Sequence, residues 1–158
     1  MPTPQPATPL HYRIEPADLH AHLYHITLTI AQPAAQQRVA LPVWIPGSYL
    51  VREFAKNLQN LRATQGRRSV PLQQLDKATW QVDAAPGKPL VLTYAVYALD
   101  NSVRTAWLDA SRGFFNGTSR CLQVAGQETL PHALELVSTR ATATWHVATG
   151  LPAVATNT

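Results

Sequence analysis

Apolar and polar side chains alternate at every step from Leu10 to Glu15, and again from Tyr24 to Ile30. A period of two sends one set to one face of an extended strand and the other set to the opposite face, whereas a helix would scatter both around its axis. Such a chain has to build sheets with one wet and one dry face. The same habit returns at Val39, Leu41 and Val43, where the intervening Pro42 cannot donate to a ladder and so predicts an edge or a bulge. Residues 58–64 predict a further strand, closed by the turn glycine Gly66 of "QGRR", and "ATWQVDA" predicts another. Beyond the turn "APGKP", residues 90–99 are apolar on both faces and predict a central strand covered on both sides. Near the end, "ALELV" and "TATWHVA" predict a closing hairpin with Trp145 and Val147 pointing inward.

Only residues 48–58 offer any helical period. Thirteen prolines fall mostly between these runs or at their ends, and apolar residues make up 46% of the chain against 14% charged, the balance of a packed domain. At 158 residues there is material for one core. The expected fold is all-β, an antiparallel β-sandwich-like domain with a long aromatic-rich loop, and closure of the same strands into a barrel is the alternative. Its expected core holds Tyr12, Ile26, Leu28, Trp80, Leu92, Tyr94, Val96 and Trp145. Residues 1–9 read as a proline-rich arm, 10–150 as the domain, and 151–158 as a linker that leaves the last strand without a closing element.

The net charge of +4 and a sequence pI of about 9.6 raise the question of nucleic acid. The distribution argues against it, because Arg67 and Arg68 stand adjacent while the other cations are scattered among acids such as Glu53, Asp76, Asp83 and Asp109. No apolar run is long enough to span a bilayer, and no signal-like segment opens the chain. Cys121 is alone, so no internal disulfide can form and a cytoplasmic setting is expected.

Catalytic patterns are weak. His20, His22 and His25 form the densest histidine cluster, yet on a strand only His20 and His22 would share a face, which supplies two metal ligands where catalytic zinc takes three. No His-Glu dipeptide occurs, so there is no H-E-x-x-H motif. Gly47-Ser48 lacks the second glycine of a nucleophile elbow, and Cys121 fits a small buried hydrophobe. Neither a catalytic residue nor a metal ligand is therefore expected in this chain. Two stretches remain. "VWIPGSYLVREFAKN" sets Tyr49, Arg52 and Glu53 just after a Pro-Gly turn, with Arg52 expected to meet a loop carboxylate such as Asp109 and Glu53 a backbone group. "NSVRTAWLDASRGFFNGTSRCLQV" places Trp107, Asp109, Phe114 and Phe115 beside Asn116, Gly117 and Thr118, an apolar wall with a few directed polar groups of the kind that lines a ligand pocket or pins a loop.

Together with a closing "WHVATGLP", these two stretches resemble the N-terminal domain of the glycyl-aminopeptidase family, metallopeptidase family 61, gluzincins that often carry a PDZ module. The resemblance spans residues 12–152. It implies a β-rich domain that precedes a thermolysin-like zinc domain in enzymes that remove small N-terminal residues such as Gly or Ala. The zinc and the peptide substrate would then belong to the parent enzyme, and the main partner of this chain would be the catalytic domain of the same polypeptide. By analogy with related aminopeptidases, Tyr49, Arg52, Glu53, Trp107, Asp109 and 114–118 are expected at the substrate cleft or the domain interface. The alternative is a free-standing module that binds a peptide or carbohydrate through 107–118.

Overall fold

The computed structural model describes residues 8–154. Of the expected arm only residues 8–9 fall within this span, and 155–158 of the expected linker lie outside it. Twelve strands form among the described residues: β1 (Leu10–Asp18), β2 (Leu23–Ile30), β3 (Gln36–Ala40), β4 (Leu58–Gln65), β5 (Arg68–Ser69), β6 (Leu72–Gln74), β7 (Thr79–Asp83), β8 (Leu90–Tyr97), β9 (Ala106–Leu108), β10 (Gly113–Phe115), β11 (Gln123–Val124) and β12 (His132–Leu136). Three 3₁₀ turns, at Phe54–Asn57, Gly117–Ser119 and Arg140–Thr142, are the helical content of this span. No helix in it is long and apolar enough to cross a membrane.

The strands make a six-stranded sheet in the order β12-β1-β2-β8-β4-β5, a four-stranded sheet in the order β11-β3-β7-β6, and a separate two-stranded ribbon, β10-β9. The alternation read from the sequence fixes the register. Tyr12 lies opposite Leu28 and Ile14 opposite Ile26, and Ile26 faces Tyr94 across the next ladder, so the apolar set of each strand meets that of its neighbour. A slip of one residue would turn every one of these side chains to water. All pairings are antiparallel except one, in which β12 runs parallel to β1 and pairs Leu10 with His132 through Ile14 with Leu136.

One core takes side chains from both large sheets: Leu10, Tyr12, Ile14, Ile26, Leu28, Leu92, Tyr94 and Val96 from the first, Val39, Trp80, Val82 and Val124 from the second. The sheets therefore close on each other as a sandwich. Seven of the eight expected core residues are buried, while Trp145 is half-buried against the edge of the cluster.

Three expectations are corrected. The closing hairpin does not form, because "ALELV" joins β1 in parallel, the segment after it turns through Arg140–Thr142, and Val147 is exposed. Strand β8 is central but only partly covered on its second face: Leu90, Leu92, Tyr94 and Val96 are buried on one side, whereas on the other Ala95 is buried, Val91 and Thr93 are half-buried and Tyr97 is exposed. Finally, β3 stops at Ala40, before Pro42, and Val43 lies in the loop beyond it.

Candidate functional site

The loop between β3 and β4 is held from within by polar atoms. Gly47 adopts φ +81°, a left-handed conformation that closes the turn after Pro46. Ser48 is buried; its carbonyl accepts from the Trp44 indole N–H at 2.8 Å, and its hydroxyl donates to Leu50 O at 3.2 Å and accepts from Arg52 Nε at 3.0 Å. Arg52 N–H donates to Val43 O at 2.6 Å, which closes the loop on itself. Ile45 and Phe54 drop into the core and anchor its two ends. With Ser48, the Trp44 indole and Arg52 Nε used inside, the outer surface is left largely apolar: Trp44 is 56%, Tyr49 102%, Leu50 64% and Val51 74% exposed. So dense a run of exposed hydrophobes makes this loop a candidate interaction surface.

Arg52 does not reach Asp109, and the Glu53 side chain meets no backbone group among the described residues. Its carboxylate lies 3.6 Å from Lys77 Nζ in an exposed pair, a contact that contributes little.

Asp109 instead organises the second stretch. Its Oδ2 accepts from the Trp107 indole N–H at 2.8 Å, and its Oδ1 accepts from Ser111 N–H and Ser111 Oγ, both at 2.7 Å, and from Arg112 N–H at 2.9 Å. The Ser111 hydroxyl is the largest of the influences that hold its carboxyl well below the ordinary range, followed by the Ser111 amide and the Trp107 indole. Four donors on one carboxylate make the tight bend between β9 and β10, and the Arg112 guanidinium lies 5.7 Å from the Trp107 ring centre. Past the ribbon, Asn116 Oδ1 accepts from Thr118 N–H and Thr118 Oγ1 and caps the turn Gly117–Ser119.

The two aromatics of this stretch part company. Phe114 is 45% exposed, whereas Phe115 is half-buried with its ring 5.8 Å from that of Tyr24. Between these rings sits Arg120, which sequence reasoning missed. It is fully buried, a position that its neighbour Cys121 hinted at but that no periodicity marks. Burial likewise pushes the Cys121 thiol up to about 11.

The ends of the two stretches come together at one cleft of about 370 Å³, where Phe54, Lys56 and Asn57 face Asp100, Thr105 and Ser119. The histidines do not share a face. His20 and His22 lie in the β1–β2 turn, off any strand, and His22 Nδ1 is bonded to Leu108 O at 2.6 Å. Among the described residues no three His, Cys, Asp or Glu side chains gather where they could hold a metal ion, so the zinc that the resemblance implies finds no ligand set here.

The model of the peptidase M61 N-terminal domain matches residues 11–158. The chain is an M61 N-terminal domain. Its fold agrees with the crystal structure of an aminopeptidase N family protein from Idiomarina loihiensis, with a TM-score of 0.90 and 44% sequence identity over 94% of this chain. The M61 N-terminal domain spans 25% of that longer chain. A search of curated proteins found no match.

Proposed function

We propose that this M61 N-terminal domain is the non-catalytic β-domain of a zinc aminopeptidase that releases N-terminal Gly or Ala-type residues, and that it supports or lines the substrate cleft. The observation that carries the reading is the apolar run Trp44, Tyr49, Leu50 and Val51 on a loop held from within by Ser48, the Trp44 indole and Arg52 Nε. Such a loop offers shape and apolar area to a neighbouring surface and no reactive group. That surface is the catalytic domain of the same polypeptide, consistent with a chain that matches a quarter of a much longer aminopeptidase-family protein. The cleft between Phe54 and Ser119 opens beside it, with Lys56 and Asp100 as the charged groups at its walls. Peptide binding and zinc chemistry belong to the partner domain in this reading. A lone cysteine fits a reducing, cytoplasmic setting.

The test is hydrolysis of glycyl- and alanyl-p-nitroanilide by the longer polypeptide that carries this domain, in parent and Tyr49→Ser/Leu50→Ser/Val51→Ser forms. The reading expects the substituted protein to lose at least tenfold in kcat/KM while this domain keeps its β-sheet circular dichroism. Unchanged hydrolysis would remove the supporting role. No hydrolysis by the parent, together with saturable binding of a peptide or sugar to the 158-residue chain, would favour a free-standing binding module.

A further inference from the structure

Arg120 is the largest of the fully buried side chains, and its Nε, Nη1 and Nη2 atoms are all buried with no well-formed hydrogen bond among the described residues, the Tyr24 hydroxyl making only a marginal polar contact. Buried polar groups are nearly always paired, and a guanidinium carries five N–H donors. Burial lowers its pKa to about 10, which leaves it charged at neutral pH. Around it stand the Tyr24 ring at 3.8 Å, the Phe115 ring at 4.4 Å, Tyr94 and Cys121. None is an anion at neutral pH, since burial raises both tyrosines and the thiol. The two ring centres are only 5.8 Å apart, so the cation sits in the corner of an aromatic angle and not between parallel plates. Ring faces attract the charge, but they do not occupy five N–H donors.

The backbone behind this side chain is firmly held. Tyr94 Oη donates to Arg120 O at 2.6 Å and accepts from Leu122 N–H at 3.2 Å, and Tyr12 Oη donates to Leu122 O at 2.6 Å. Phe115 ends the small β9–β10 ribbon, which forms no ladder with either large sheet but is anchored through Ala106 and Leu108 in the core and by the bond from Leu108 N–H to Ala98 O. A fixed cation thus lies behind one partly buried ring, whose side chain is the cover.

We propose that Arg120 is a carboxylate-binding residue, covered by Phe115 when empty and reached when that ring moves aside. A carboxylate matches the guanidinium fork with two parallel N–H···O bonds and supplies the one charge that the enclosure lacks. It is either the free α-carboxylate of a peptide or the acidic side chain of an adjoining polypeptide surface. The site is a property of this chain and stands whichever polypeptide its apolar loop contacts.

The experiment follows the arginine Nε–H signals of the 158-residue chain by NMR, with assignment by Arg120→Lys. The probes are acetate, triglycine and N-acetylglutamic acid α-amide, with acetamide as the neutral control. The Arg120 signal is expected to shift saturably with carboxylates and not with acetamide. Phe115→Ala, or Phe115→Leu if the alanine form does not fold, should tighten binding at least tenfold by removing the cover. Response to triglycine alone identifies a peptide terminus, and response to the glutamate side chain alone identifies an acidic surface. Arg120→Met should abolish the response and keep a Tm equal to or above the parent's. If no carboxylate moves the signal in the parent or in either Phe115 variant, or if Arg120→Met lowers Tm sharply, the guanidinium is only a packing element and the proposal falls.

Discussion

At the scale of single residues, polar side chains such as Ser48, Asp109 and Asn116 shape the loops of this domain. Asp109 takes four donors from its own bend, and the cost of losing them appears in acid. Its carboxyl is depressed below the ordinary carboxylate range, so the stability it contributes is complete above that range and drains away as the pH falls below it. Asp109→Asn should therefore be less stable than the parent at pH 7 yet show a shallower loss between pH 4 and pH 2, as read from thermal melts across that range. An identical acid slope in both proteins would mean that the bend does not depend on the charge. Cys121 gives a second test. A thiol raised from 9.0 to about 11 holds about 100-fold less thiolate at pH 8 than an ordinary one, so alkylation by iodoacetamide should be slower than that of free cysteine by at least tenfold. The same shift removes stability as the pH rises through 9, because the unfolded chain then gives up its proton first. Alkylation at the free-cysteine rate would contradict the enclosure of this segment.

At the scale of elements, strands with strict alternation were legible in the sequence and those set by distant partners were not. The faces of β1 and β2 could be read directly, since Leu10, Tyr12, Ile26 and Leu28 each occupy the dry side of a period-two run. Nothing local in "ALELV" announces a parallel partner, because the ladder with β1 is set by tertiary contact across more than a hundred residues. Arg120 was illegible for a similar reason: its burial follows from Tyr94 and Tyr12 gripping the backbone on either side of Cys121. The aromatic pair was read as a unit, and the pleat separates it, since neighbouring residues of a strand face opposite ways. Phe114→Ser should leave Tm within about 2 °C of the parent, in line with the near-zero effect of most exposed substitutions. Phe115→Ser removes a ring packed on Tyr24 and Arg120 and should cost about 1–3 kcal/mol, less than the roughly 3–5 kcal/mol of truncating a fully buried phenylalanine because this ring is only partly buried. Equal losses in denaturant titrations of the two variants would show that the ribbon packs differently.

At the scale of the whole molecule, the sandwich completes its own core and still leaves an apolar loop in water. Ile45 and Phe54 belong to the core, while Trp44, Tyr49, Leu50 and Val51, between them or next to them in sequence, stay outside. The loop's internal bonds, Ser48 to Arg52 and Trp44 to Ser48, mean that it need not reorganise to be covered, which lowers the cost of association. An M61 N-terminal domain built this way presents a preformed apolar surface. The most direct test is hydroxyl-radical footprinting of Trp44, Tyr49, Leu50 and Val51 in the 158-residue chain and in the longer polypeptide proposed to carry it. Covering by the catalytic domain predicts that these four side chains lose at least five-sixths of their reactivity in the longer protein while exposed Val103, on another loop, keeps its own. Equal labelling of the loop in both proteins would contradict the account.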